Sequence, residues 1–291
     1  MPAEITYQRG PNPETTIIIP SLDGDRGGNV GRLIEQLKGQ TYTDIEIIIS
    51  KNEKPNGHAR NVGITRASAS SRFYAFFDDD VKLGDKHVLK NLLDILKDAG
   101  IGLVGASQLP PKNSNWKQKW IGYDLGKAKF PIQDKLIDTE MATHAGMACR
   151  REIWDEMGGE ADTLITGTDT DLRDRLRKAG YRVVVAPRTW VFHPLPNQFL
   201  KVLKSAIYNG HYQLDYRRAH GFQEGILKPF RKIASVGDLA ACLAREFLLL
   251  VPHIFVANRR PMIGFRPLNA MFRFLMVYSY SLRSFRENLG R

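Results

Sequence analysis

Short apolar runs at regular intervals constrain this chain most. "TTIIIP" (15–20), "IEIIIS" (45–50), "RFYAFF" (72–77) and "IGLVGAS" (101–107) each have the length and β-branched or aromatic content of a buried strand. Helical patterns separate them. "GGNVGRLIEQLKGQ" places Val30, Leu33, Ile34 and Leu37 on one face and stops at Gly39; "GHARNVGITRASA" (57–69) is a small-residue helix; "KHVLKNLLDILKDAG" (86–100) is amphipathic. Strands alternating with helices predict an α/β fold, a mostly parallel sheet with helices on both faces. Further on, residues 144–160 predict a short strand and a helix stopped by Gly158 and Gly159. Residues 167–194 predict a helix, a stop at Gly180 and two short strands, and from 198 onward the pattern is mainly helical.

In open α/β sheets ligands sit at the carboxyl ends of the strands. "PSLDGD", "SKNEKPNG" and "DDDV" all stand there, so they are expected to share one crevice. Three adjacent aspartates, Asp78, Asp79 and Asp80, repel one another unless solvated or compensated. An acidic turn in water is one answer. A hard cation such as Mg2+ or Mn2+, which takes oxygen ligands and bridges carboxylates to a diphosphate, is the other.

The ordered series "IIIPSLDGDRGGNVGRLIEQLKGQTYTDIEIIIS", "HARNVGITRASASSRFYAFFDDDV", "AGMACRREIWDEMGGE" and "GTDTDLRDRLRKAGYRVVVAPRTWVFHP" resembles a family 2 glycosyltransferase of the GT-A fold over roughly residues 15–194. The resemblance implies an inverting transferase that uses a nucleotide-diphosphate sugar and Mn2+ or Mg2+. It implies that Asp78-Asp79-Asp80 is the DXD element, with Asp78 and Asp79 on the nucleotide side and Asp80 on the metal. His193 in "VFHP" matches a histidine of the metal or diphosphate site, and Asp78 is a further candidate ligand. Asp169 in "GTDTDL" matches the general base that deprotonates the acceptor hydroxyl; the usual Glu before it is Thr168 here, which makes Asp171 a competitor. Arg60 and Asn61 match a helix-start motif beside the nucleotide, and Pro20 and Ser21 the turn under the base. The family's base-reading aspartate is missing from the end of the second strand. Lys51 or Asn52 stands there, with Glu53 just beyond, and the base is left open between guanine and uracil.

Other readings stand beside these. Asp169 and Asp171 would also suit a helix N-terminus for its dipole alone. Trp116, Trp120 and Tyr123 are expected in a loop between a donor half (about 15–107) and an acceptor half (about 108–197), either stacking on sugar or packing. His144 is a candidate for the acceptor pocket. A sugar-phosphate nucleotidyltransferase, or a degenerate protein that only binds a nucleotide sugar, are the alternative functions.

Charge divides the chain. Residues 1–197 carry 27 basic and 26 acidic side chains, and residues 198–291 carry 15 and 5. The same last third contains "LAACLAREFLLLVPHIFVA" (239–257) and "NAMFRFLMVYSYSLRSF" (269–285). Central charges in both argue against spanning a bilayer, where each costs about 2.5–3.5 kcal/mol. The expected organisation is a catalytic domain over 1–197 and a basic, apolar helical region over 198–291 that packs on it or meets an anionic membrane surface. No nucleic-acid motif accompanies the basic residues, and nucleic acid is not an expected partner. A polar N-terminus without an apolar signal core, and only two cysteines, fit a cytoplasmic protein peripheral at the inner face of the membrane. The expected acceptor is a glycan or lipid-linked sugar.

Overall fold

The computed structural model describes residues 3–125, 132–139, 142–224, 228–255 and 265–289. It divides into two compact units, one of residues 1–111 with 130–194, the other of 112–129 with 195–291.

The first unit is built on one sheet. Its strands are β1 (Ala3–Gln8), β2 (Thr15–Ser21), β3 (Ile45–Lys51), β4 (Phe73–Phe76), β5 (Lys82–Leu83), β6 (Ile101–Leu109), β7 (Ile137–Asp138), β8 (Met147–Arg150) and β9 (Arg182–Phe192). They lie in the order β1-β3-β2-β4-β8-β6-β9-β5, with β7 beside β9. The helices of this unit are α1 (Asn29–Lys38), α2 (Asn56–Ile64), α3 (Val88–Ile95), α5 (Arg151–Glu156) and α6 (Thr168–Lys178).

Alternation along the strands fills both faces. Ile17 and Ile19 of β2 join Leu33 and Leu37 of α1 and the apolar side of α3. Ile18, between them, faces the other way with Tyr74, Phe76, Trp154 and Leu172, covered by α5 and α6. Helices therefore lie on both faces, as expected.

The sheet is mixed rather than mostly parallel. β2 is parallel to β3 and β4, and β6 to β9, but β8 enters between β4 and β6 antiparallel to both. β1, β5 and β7 are antiparallel too. Apolar patterning specifies a strand and its buried faces; its direction depends on the route of the chain. The two short strands expected after the Gly180 stop are one strand, β9, bent where Arg188 takes φ 49° and the register against β6 shifts.

The second unit is helical: α4 (Trp116–Asp124), α7 (Phe199–His220), α8 (Val236–Leu248), α9 (Leu250–Phe255) and α10 (Pro267–Leu289). The expected boundary at 197 thus falls between 194 and 195, and residues 112–129 group with the helices instead of the sheet. Trp116, Trp120 and Tyr123 lie on α4 and not in a loop; Trp120 packs edge-on against Phe199 at 5.3 Å. Asp124 is the reason α4 belongs here: buried, it accepts the Asn269 backbone N–H at the start of α10 (2.6 Å). Burial pushes its carboxyl above the ordinary aspartate range while the α10 N–H groups pull against that. α7 and α10 approach so closely that a Cβ on Gly210 would stand 2.0 Å from the Met276 carbonyl oxygen. Among the described residues no helix is long and apolar enough to cross a membrane. Val256 and Ala257, the end of the first apolar stretch, lie outside the described residues.

Candidate active site

β2, β3 and β4 end together, and their carboxyl ends shape the site. After Ser21 the chain turns on Asp23, whose Oδ1 accepts the backbone N–H groups of Asp25 (2.9 Å) and Arg26 (2.7 Å). These bonds hold the Asp23 carboxyl below its usual range and bring Arg26 back over the aspartates. After β3, Asn52 takes φ 56°, a conformation its short polar side chain tolerates, and donates its N–H to the Ser21 carbonyl at 3.2 Å. A cavity of about 350 Å³ opens between these ends, lined by Pro20, Ser21, Leu22, Arg26, Glu53, Lys54, Asn56, Asp78, Asp79, Asp80 and His193.

The three aspartates point to different partners. Asp78 Oδ1 accepts from Arg60 Nη2 at 3.0 Å, and its Oδ2 lies 3.9 Å from His193 Nε2. Asp79 Oδ2 accepts from Ser21 Oγ at 2.7 Å, and its Oδ1 is 3.7 Å from Arg26. Burial raises the Asp79 carboxyl above the usual aspartate range; Ser21 and Arg26 oppose this, and the charges of Asp80 and Asp78 add to it. Asp80 Oδ2 is 3.5 Å from Arg26 Nη2. Its Oδ1 is buried, has no hydrogen-bond partner, and lies 3.7 Å from His193 Nε2. A buried carboxylate oxygen left in this state costs free energy, and a hard cation is a fitting partner for it. Among the described residues no group of three or more His, Cys, Asp or Glu side chains is arranged to hold a cation; Asp80 with His193 would supply only part of a coordination shell and leave the remainder to other ligands.

Behind Asp78, Arg60 is almost completely buried, and its other arm, Nη1, reaches Glu160 Oε2 at 3.4 Å. Glu160 is itself buried and paired through Oε1 with His144 Nε2. Thr168, at the start of α6, also hydrogen-bonds it. Burial works to raise the Glu160 carboxyl, but the charges of His144 and Arg60 and these hydrogen bonds prevail and bring it to about 2. The packing is tight at Gly57, where a Cβ would stand 3.1 Å from the Ala161 carbonyl oxygen and Thr168 Cγ2 and 3.2 Å from Glu160 Oε2.

Asp169 lies in the first turn of α6, partly exposed. Its Oδ2 accepts from Arg173 Nη1 at 3.1 Å and its Oδ1 from the Thr170 N–H at 2.9 Å. Asp171 is buried and held by Arg175 at 2.6 Å, and Arg175 also donates to the Gly159 carbonyl. That pairing commits Asp171 to packing α6 against the Gly158-Gly159 turn.

These features coincide with two findings from comparison. A model of the family described as glycosyltransferase like family 2 matches residues 8–206. The chain belongs to that family. This family 2 chain is 27% identical over 194 residues to the O-antigen chain rhamnosyltransferase WbaN of Salmonella anatum, covering 64% of the chain and 59% of the relative. It is 26% identical over 223 residues to the pre-mycofactocin glycosyltransferase of Mycobacterium tuberculosis (strain ATCC 25618 / H37Rv), covering 68% and 46%. The chain thus spans about half the length of these curated relatives. Among solved structures it is similar to the mannosyltransferase PcManGT from Pyrobaculum calidifontis in complex with GDP-Man and Mn2+, with a TM-score of 0.58 at 15% identity over 98% of the chain and 88% of that protein. A likeness at that identity speaks for the fold, which is of the GT-A type.

In this family 2 chain the cavity gathers Pro20, Ser21, Glu53, Asp78, Asp79, Asp80 and His193 of the residues expected from sequence. Arg60 supports it from behind through Asp78. Lys51, Asn52 and Asn61 are not among the lining residues: Lys51 pairs with Glu4, and Asn61 braces the Glu160 backbone (2.7 Å) and Asp162 Oδ1 (2.7 Å). Sequence reasoning missed Arg26, Lys54, Asn56 and Glu160. Lys54 and Asn56 stand in a loop already assigned to the crevice, and Arg26 directly follows another, so these three could have been found there. Glu160 had no local signal, because its partners Arg60 and His144 are 100 and 16 residues away.

Proposed function

We propose that the chain is an inverting, divalent-metal-dependent glycosyltransferase. It moves a sugar from a nucleoside-diphosphate donor to a hydroxyl of a glycan or lipid-linked acceptor in surface polysaccharide or glycolipid synthesis, at the inner face of the cell membrane. The observation that carries this reading is the buried Oδ1 of Asp80, without a hydrogen bond and facing His193, on the wall of a cavity at the strand ends. Family membership supports transfer of a sugar over nucleotidyl transfer, and the names of the relatives support the polysaccharide context.

Asp80, Asp78 and His193 would hold Mn2+ or Mg2+, which when bound neutralises charge building on the departing diphosphate. The chain's own groups do the rest. Arg26, half exposed and shared between Asp79 and Asp80, is placed to turn toward diphosphate oxygens. Glu53 offers the nucleotide a carboxylate acceptor. Arg60 fixes Asp78, so the donor side of the site does not rearrange as charge develops. Asp169 takes the acceptor proton while the hydroxyl oxygen attacks the anomeric carbon opposite the leaving group, and Arg173 sets the carboxylate's orientation. One displacement inverts that carbon without a covalent sugar intermediate.

Incubation with a panel of nucleotide sugars and a lipid-linked glycan acceptor tests the reading. Product with inverted anomeric configuration, abolished in Asp169→Asn with donor binding retained, is expected. Release of pyrophosphate from a sugar 1-phosphate and a nucleoside triphosphate would overturn it.

A further inference from the structure

The helical unit turns one of its helices inside out. α8 and α9 follow each other with only Leu249 between them, and twenty residues of helix extend about 30 Å. Every exposed position from Val236 to Phe255 is apolar. Phe247, Leu248, Val251 and Phe255 are 68%, 74%, 62% and 49% exposed, and their spacing places them along one side. The Phe255 ring lies 6.2 Å from that of Phe265, which is also exposed and extends the patch.

The charged residues of the same stretch face the protein. Glu246 is buried and receives Arg245 on Oε1 and Arg273 of α10 on Oε2, the latter at 3.3 Å. His253 is buried on the same side, and Cys242 meets Ser281 of α10. Asp238 is spent on the Ser235 cap and on Arg231 at 2.7 Å. A surface helix in water has the opposite arrangement, with apolar residues in and charge out. Single exposed apolar residues need no explanation. A continuous uncharged stripe whose charges have been desolvated and paired beneath it does.

We infer that the α8–α9 stripe is the surface by which this chain lies on an anionic bilayer. The occupant follows from charge. Residues 198–291 carry 15 basic and 5 acidic side chains, and exposed Lys228 and Lys232 stand just before the stripe. A second copy would bring the same positive charge against it, whereas anionic lipid contributes about 1 kcal/mol per basic residue near the surface. Phe247, Leu248, Val251 and Phe255 enter the headgroup boundary to about 5–10 Å, and the helix lies in the plane without crossing. The inference deepens the proposed function by giving a lipid-linked acceptor a surface to come from, yet the docking itself does not depend on sugar transfer.

The test is flotation of the full chain with vesicles of phosphatidylcholine alone and of an equal mixture with phosphatidylglycerol, beside a Leu248→Gln/Val251→Gln variant. Both positions are already in solvent, and a thermal melt checks that the variant is folded. The wild type floats with the anionic vesicles only, and the variant loses at least tenfold in partitioning while binding nucleoside diphosphate equally well. Wild type that does not float, or a variant that floats as well as wild type, would overturn the inference. So would light scattering that shows a wild-type dimer which the variant dissolves, since the stripe would then be a contact between copies. Donor binding is read separately, so failure of the glycosyltransferase reading leaves the flotation result interpretable.

Discussion

In the sheet unit Arg60 and Glu160 are buried at the back of a polar cavity; in the helical unit Glu246 is buried behind an apolar surface, paired with a partly buried Arg273. The chemistry of the two pairs is the same, but their surroundings differ. Arg60 passes its second arm to Asp78, so the buried pair ends on a carboxylate that faces the cavity. The Glu246 cluster pairs with Arg245 and Arg273 and leads to no carboxylate on the cavity wall. A buried ion pair by itself is therefore no sign of a site. What distinguishes the first is a chain of contacts that ends on Asp78, a carboxylate on the cavity wall beside Asp80.

The largest effects should separate the two units by function. Asp169→Asn is expected to lower kcat by about 10²–10⁴-fold, the usual range for loss of a general base, with little change in donor affinity measured by calorimetry. A wild-type rate would remove Asp169 from the mechanism.

Next come the buried acids. Glu160→Ala leaves buried Arg60 with Asp78 alone and His144 without its carboxylate, and Glu246→Ala takes the carboxylate from Arg245 and Arg273; each should cost about 3–5 kcal/mol in chemical denaturation. Only Glu160→Ala should also weaken nucleotide binding, since only Arg60 positions a cavity aspartate. Equal loss of binding in both variants would break the comparison.

Acid should sharpen it. The Glu160 carboxyl is held at about 2 against an ordinary 4.5, so the stability it contributes is complete above about pH 4.5 and is lost as pH falls toward 2. His253 is moved the other way from its charged form. Burial first, then the charges of Arg273 and Arg245, lower it from 6.5 to about 4. The unfolded chain therefore binds more protons between those values, and stability falls as pH drops from 6.5 to 4. Amide exchange should show α8–α10 loosening at pH 5 while β2, β4 and α6 stay protected. The reverse order would contradict these assignments.

The smallest expected effect is at a helix start. Ser235 and Asp238 form a capping box on α8, and Ser235→Ala should cost about 1 kcal/mol in thermal denaturation without altering nucleotide binding.

Much of this was legible in local sequence. The runs behind β2, β3, β4 and β6 have strand length and composition, and three acids directly after β4 marked the crevice. Strand direction was not legible: β8 is short, and nothing in "MACR" tells which way it runs between β4 and β6. The sequence of α4 reads as a loop because its apolar residues do not gather on one side. Glu160 closes the segment "AGMACRREIWDEMGGE", but nothing local marks it as a charge partner; its meaning comes from Arg60, distant in sequence. The basic and apolar character of the last third is plain in its composition, but the side that α8 presents depends on Arg273 of α10, 27 residues beyond Glu246.

The central claim is that Asp80 and His193 complete a cation site that holds a nucleoside diphosphate. Calorimetric titration of GDP and UDP into the protein, with Mn2+ and with chelator, measures it directly. The account predicts binding of one nucleotide that requires the cation and falls at least tenfold in Asp80→Asn. Binding of equal strength in chelator, or an Asp80→Asn variant that binds as the wild type does, would contradict it.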